Sequence, residues 1–132
     1  MNRRVVITGL GVVSPNGIGV PDFLHSIQEG ISGIKFIPQY EELKFNCQVS
    51  GVPAFEWEQL SNYITETSLY GLKSKGIAYG LIAALDAWMD AGNKIVSEDT
   101  LWDTGCIFGS SVADTDVIKN AITRVDARES KK

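Results

Sequence analysis

The sequence has little that could carry metal or redox chemistry: two cysteines, Cys47 and Cys106, and one histidine, His25. The cysteines lie far apart and form neither a CxxC unit nor a metal-ligand spacing. A single histidine cannot supply a metal site alone, so the residues suggest neither a metal nor a cofactor. Basic charge is also short. Twelve Lys and Arg stand against 16 Asp and Glu, for a net charge of −4 and a pI near 4.9. Binding to nucleic acid requires a basic face that neutralises phosphate, so that partner is excluded. No apolar run reaches the roughly 18 residues of a membrane span. Before Thr8 the N-terminus offers only Val5, Val6 and Ile7 as a short apolar run, where a secretory signal needs a longer stretch and a cleavage site. A cytosolic location is therefore expected, with both cysteines as buried, reduced thiols.

What is present fits one globular unit. A chain of 132 residues is about one domain. Its 44% hydrophobic and 21% charged residues match average globular usage, which excludes a disordered, collagen-like or coiled-coil chain.

The local patterns alternate strands with helices. Arg3 to Gly9 is a short β-branched run bounded by glycine, as in a buried strand. Ser14-Pro15-Asn16-Gly17 predicts a turn. Pro21 and Asp22 suit the first turn of a helix. Phe23, Leu24, Ile27 and Ile31 form its apolar face, and Gly30 its C-terminal cap. Ile34 to Tyr40 is a loop or short strand broken by Pro38. Phe45 to Val49 alternates as a half-buried strand does, ended by Gly51 and Pro53. Phe55 to Leu69 is ambiguous.

Gly71 to Ala91 is the most apolar helix, with Ile77, Ala78, Leu81, Ile82, Leu85, Trp88 and Met89 on one broad face. Cys106 to Gly109 is a further short strand. Asp114 to Arg128 is an amphipathic helix striped by Val117, Ile118, Ala121, Ile122 and Val125, and residues 127–132 form a polar end. The expected fold class is α/β, a sheet covered by helices.

No catalytic constellation emerges from these residues. Gly9-Leu10-Gly11 invites a dinucleotide fingerprint, but the third glycine is replaced by Ser14 and the helix starts too late. His25 reads as a surface histidine. Asp114 and Asp116, like Glu41 and Glu42, resemble carboxylate pairs, yet Asp114 is better placed as a helix cap.

Several motifs together resemble a known family. The opening run from Arg3 to Gly17 (RRVVITGLGVVSPNG) is similar to the start of a β-ketoacyl-acyl-carrier-protein synthase. Phe23-Leu24 through Glu29-Gly30-Ile31-Ser32-Gly33-Ile34 resembles that family's first helix and G-x-S-G-I turn. Gln48-Val49-Ser50-Gly51 resembles its second strand, and Tyr79-Gly80 to Asp90-Ala91-Gly92 its long buried helix. Gly105 to Ser111 is similar to its G-x-x-x-G-S-G strand and turn. The resemblance covers nearly the whole chain.

The resemblance implies a condensing enzyme of the thiolase fold, with residues 1–132 as one partial domain of a layered α/β/α architecture whose sheet is incomplete. Such enzymes load an acyl group onto a cysteine at a helix N-terminus. They then decarboxylate a malonyl thioester on acyl carrier protein and join the two, with two histidines and an oxyanion hole assisting. It further implies that this cysteine and both histidines lie beyond Lys132. Neither Cys106 nor His25 matches them, and the chain alone is expected to be inactive. A non-catalytic partner subunit of the same fold is the alternative. A homodimer or a heterodimer with a related synthase is implied as well.

One substrate-binding position carries over. Val112 occupies the apolar slot that lines the acyl pocket; simple core burial is the competing expectation. Two departures stand out. Ser74 replaces an Asp in a stretch thought to greet the carrier protein, leaving only Lys73 and Lys75 as basic residues. Ser111-Val112-Ala113-Asp114 is poorer in glycine than usual.

Overall fold

Pro15 and Asn16 make the two-residue turn of the first hairpin in the computed structural model, which describes residues 4–64, 74–94, 104–110 and 114–127. Strand β1 (Val13–Ser14) pairs antiparallel with β2 (Gly17–Ile18), Val13 opposite Ile18. The turn fits the predicted Ser-Pro-Asn-Gly signal, since Pro presets its own φ. The Ser14 hydroxyl accepts the Asn16 N–H at 3.1 Å and donates to the Gly17 carbonyl at 3.3 Å.

Helix α1 (Val20–Gln28) follows, with Pro21 in its first turn as expected. Gly30 adopts a left-handed φ of 65°. The Gly30 N–H returns to Ile27 O and the Ile31 N–H to Ser26 O, which closes the helix as a Schellman motif. The expected apolar face is not the buried one. Leu24, Ile27 and Ile31 are exposed, while Phe23 is half-buried and Ser26 is buried. The hydrogen bonds of the first hairpin decide this, because they hold the Ser26 side of α1 against the turn.

Strand β3 (Ile34–Phe36) leads into α2 (Pro38–Glu42), and β4 (Val49–Gly51) returns antiparallel with Phe36 opposite Val49. The expected strand over Phe45 to Val49 is thus displaced toward the C-terminus. Residues 43–45 instead close α2: Lys44 takes a φ of 57°, and the Phe45 N–H bonds Tyr40 O. The Tyr40 and Phe45 rings meet edge to face, with centroids 5.3 Å apart.

A 3-10 helix at Trp57–Asn62 resolves part of the ambiguous segment. A reciprocal capping box between Glu56 and Gln59 starts it. Residues 65–69 lie outside the described residues.

Helix α3 (Lys75–Asp90) is the long apolar helix, capped by Ser74 and closed by Gly92 at φ 80°. Its buried face is Ala78 and Ile82, which pack with Phe55 and Leu60 to form the core. Val13, Ile18, Trp57, Tyr63, Tyr79 and Leu81 surround them. Ile77 and Met89 were expected on this face but are exposed. Ile77 projects about 100° away from Ala78 around the helix, and Met89, although in line with Ala78 and Ile82, lies in the last turn, about two turns beyond Ile82 and past the core. Helix α4 (Thr115–Asp126) comes last, and its whole apolar stripe is exposed.

Two expected strands are not strands among the described residues. Val5 is 94% exposed and Ile7 85%; Ile107 is 99% exposed. Neither segment 4–8 nor segment 104–110 pairs with another strand. A strand needs a neighbouring backbone to satisfy its N–H and C=O groups. Contact with α3 is made instead by residues 9–11, just after the first segment, and by Phe108 in the second. A methyl group at Gly9 or Gly11 would run into the α3 backbone at Ala87 or Ala83, and one at Gly80 would lie 2.6 Å from the Phe108 ring. The Leu10 N–H donates to the Asp90 carboxylate at 2.9 Å. The architecture is a mixed helix and strand arrangement whose sheets, among the described residues, are two antiparallel pairs.

Candidate functional site

The N-termini of α3 and α4 meet at one carboxylate. The sequence starts α3 with Ser74, whose hydroxyl accepts the Ile77 N–H at 3.3 Å. Ser74 is buried, at 6% exposure. It starts α4 with Asp114, whose carboxylate accepts the N–H groups of Asp116 at 3.1 Å and Val117 at 3.3 Å. Asp114 is thus the helix cap that its position predicts. The nearby Ser74 hydroxyl foremost, then the N–H groups of Val117, Asp116 and Lys75, hold the Asp114 carboxyl below the usual carboxylate range, because each donor favours the charged form.

Further along α3, Phe108 of segment 104–110 covers Gly80. Cys106 on this segment is a free, exposed thiol, and Cys47 is free and exposed too. The expectation of buried thiols fails for both, because each stands outside the small core that Phe55, Leu60, Ala78 and Ile82 enclose. His25 is exposed on α1, as its position predicts. Val112, the one proposed substrate contact, lies outside the described residues.

A second cluster ties the Ser14–Gly17 turn to α1. The Asn16 side-chain amide donates to Ile31 O at 2.7 Å. Beside it is a cleft of about 290 Å³ lined by Asn16, Asp22, Ser32, Lys35 and Gln59 among others. Burial first, then hydrogen bonding toward Asp86 of α3 and the Asp86 charge, push the Tyr63 phenol up to about 12. The described residues hold no cluster of three His, Cys, Asp or Glu side chains that could ligate a metal.

Comparison with known proteins decides the family. The family described as "Beta-ketoacyl synthase, N-terminal domain" matches residues 2–132. The chain belongs to the beta-ketoacyl synthase family. Family membership implies a thiolase-like fold, of which these helices and strands are a partial α/β domain. The chain is 33% identical over 115 residues to a 3-oxoacyl-[acyl-carrier-protein] synthase 2 of Coxiella burnetii, covering 83% of this chain and 26% of that protein. It is 30% identical over 118 residues to a protein of the same name from Vibrio harveyi, covering 89% of this chain and 27% of that protein. It is 29% identical over 122 residues to a Streptomyces halstedii protein whose name assigns it as a polyketide beta-ketoacyl synthase, covering 87% of this chain and 26% of that protein. The chain spans about a quarter of the length of these curated relatives.

Sequence reasoning missed two features of the site, the approach of Ser74 to Asp114 and the Asn16 bridge. Each joins residues far apart in sequence, and no local periodicity carries such a pairing. The one forewarning was that Ser74 stands about where the resemblance leads one to expect an Asp.

Proposed function

We propose that this chain is the N-terminal part of a condensing enzyme that extends acyl chains by decarboxylative Claisen condensation, in fatty-acid or polyketide-type elongation. The observation that carries this reading is the family match across residues 2–132. In the proposed reaction a cysteine thiolate displaces the carrier thiol from an acyl thioester and becomes acylated. Malonyl-carrier then loses carbon dioxide, and the resulting enolate carbon attacks the acyl carbonyl. The cysteine thiolate leaves, and the product is a β-ketoacyl-carrier two carbons longer.

This chain contributes scaffold and one pocket residue, Val112. The cysteine and the two histidines are contributed by sequence beyond Lys132, so the 132 residues alone do not condense. The partners are acyl carrier protein and acyl and malonyl thioesters. The complete enzyme works in the cytosol as a homodimer, or as a heterodimer with a related synthase.

The test begins with the coding sequence past Lys132. The expected continuation has a cysteine at a helix start followed by two histidines. The complete protein should then release carbon dioxide from malonyl-carrier and form a β-ketoacyl product, while the isolated chain does neither. A continuation with another residue in place of the cysteine overturns catalysis and makes this a partner subunit. Condensation by the isolated 132 residues also contradicts the proposal.

A further inference from the structure

Asn16 is the one asparagine of this chain that a glycine follows. Such a pair carries a reaction of its own. The backbone nitrogen of the second residue attacks the side-chain amide carbon of the first, and a glycine, with no Cβ, leaves that approach open. Here Gly17 N would bond Asn16 Cγ, and its proton would pass to the amide nitrogen, which leaves as ammonia. Water then adds to either carbonyl carbon of the cyclic imide and breaks one C–N bond. The product is aspartate, or isoaspartate with the main chain rerouted through the side chain. One water is consumed and one ammonia released, and nothing is oxidised or reduced.

The fold restrains the groups that this reaction needs. The Asn16 side-chain nitrogen donates to Ile31 O at 2.7 Å. Its Oδ1 lies over Gly33, where an added methyl would be only 2.8 Å away. The Asn16 N–H donates to the Ser14 hydroxyl at 3.1 Å, and the Asn16 carbonyl accepts the Ser26 hydroxyl at 2.6 Å. The attacking nitrogen is committed as well. The Gly19 N–H bonds Val12 O at 2.8 Å, and hydrogen-bonded pairs alternate along an antiparallel ladder, so Ser14 and Gly17 form the next such pair. Ring closure requires the side chain to leave Ile31 and Gly17 N to leave Ser14. Both require the hairpin to lift from α1.

We propose that Asn16–Gly17 is a deamidation site which the closed hairpin protects, and that its conversion, once an opening has allowed it, keeps the hairpin from closing on α1 again. In the aspartate product a carboxylate oxygen faces the Ile31 carbonyl where an N–H group stood, acceptor against acceptor. In the isoaspartate product an extra backbone carbon enters a two-residue turn and shifts Ser14 out of register with Gly17. The site is thus a one-way record of partial unfolding at the hairpin, and it does not depend on the reaction that the complete protein catalyses.

The test ages the complete protein, native and in urea, and follows by peptide mass the conversion of each asparagine. In urea, Asn16 should convert ahead of Asn46, Asn62, Asn93 and Asn120, none of which precedes a glycine. Conversion of Asn16 no faster than theirs overturns the site. In the native protein Asn16 should convert about tenfold more slowly than in urea, or more slowly still, since each tenfold is an opening free energy of about 1.4 kcal/mol. Equal rates overturn the protection. Ser26→Ala removes one bond between the hairpin and α1 and should speed native conversion about fivefold, with the rate in urea unchanged. An unchanged native rate overturns the hairpin as the gate. The converted protein, separated by its added negative charge, should exchange the Gly19 amide hydrogen faster than the parent, and Asn16→Asp should do the same. Exchange as slow as in the parent overturns the one-way effect.

Discussion

The buried hydroxyl of Ser26 on α1 donates to the backbone carbonyl of Asn16 across 2.6 Å. This one bond holds the first hairpin against the first helix, and the Asn16 side chain completes the clasp at Ile31 O. Ser26→Ala leaves the Asn16 carbonyl without this partner in a partly buried place. The expected loss is about 1–2 kcal/mol, read as a lower urea midpoint with an unchanged slope. A midpoint equal to that of the parent chain would show that water replaces the hydroxyl at no cost.

Gly11 lies so close to α3 that an added methyl would strike the backbone at Ala83, with the Ala87 nitrogen 2.8 Å away. Backbone atoms inside a helix cannot step aside as a flexible side chain can. Gly11→Ala should therefore cost about 3 kcal/mol, at the upper end of overpacking effects. A methyl group added at Gly105 would meet nothing within 4 Å, so Gly105→Ala is the control and should change stability by less than about 0.5 kcal/mol. Equal midpoints for the two variants would contradict the close approach of segment 9–11 to α3.

Lys44 closes α2 with a left-handed φ of 57°, a conformation that glycine adopts without a Cβ penalty. Lys44→Gly should stabilise the chain by about 0.5–1 kcal/mol. Lys44→Val should destabilise it, because a β-branched residue resists positive φ. A thermal melt that ranks the three residues otherwise would contradict the left-handed closure of α2.

Local signals announced the turn at Pro15 and Asn16, the start of α1 at Pro21, the closure at Gly30 and the cap at Asp114; the long helix was announced too, but it starts at Lys75, with Ser74 as its cap, and the expected residues 71–73 lie outside the described residues. Each of these depends on a residue's own backbone preference or on bonds within a few residues, so a sequence displays it. The errors concern burial and pairing. Val5 to Ile7 and Cys106 to Phe108 have strand composition, but pairing requires a neighbouring backbone that no described residue supplies. The apolar side of α1 was legible, whereas its contact with the hairpin through a serine was not. At the candidate site the family motifs were legible as a resemblance. The convergence of Ser74 and Asp114 was not, because it joins residues 40 positions apart.

Tyr63 should ionise late. Burial, followed by hydrogen bonding toward Asp86 and its negative charge, raises the phenol from the ordinary value of 10.0 to about 12. The folded state therefore holds the Tyr63 proton more tightly than the unfolded chain does. Its contribution to stability is fully present below pH 10 and is lost as pH rises through the folded value of about 12. Subtracting the phenolate absorbance titration of Tyr63→Phe from that of the parent should isolate one late tyrosine. Asp86→Ala should bring that tyrosine only part of the way back, since burial is the largest cause. Ionisation at the ordinary value in the parent chain would sink the contact with Asp86.

The apolar side chains left open on segments 4–8 and 104–110, and on the stripe of α4, belong to separate parts of the chain. Together they exceed the scattered single exposures that are normal on a soluble surface. A net charge of −4 opposes association only weakly at physiological salt. The isolated 132-residue chain should therefore bind an apolar fluorescent dye strongly and self-associate as its concentration rises. Ile7→Lys together with Ile107→Lys should weaken both signals and leave the urea midpoint in place, because neither residue enters the core of Phe55, Leu60, Ala78 and Ile82. In the complete synthase the parent residues should give little dye signal, since the remaining length of the fold covers these faces. A monomeric isolated chain with no dye signal would mean that these residues find cover within the 132, contrary to the exposure of Ile7 and Ile107.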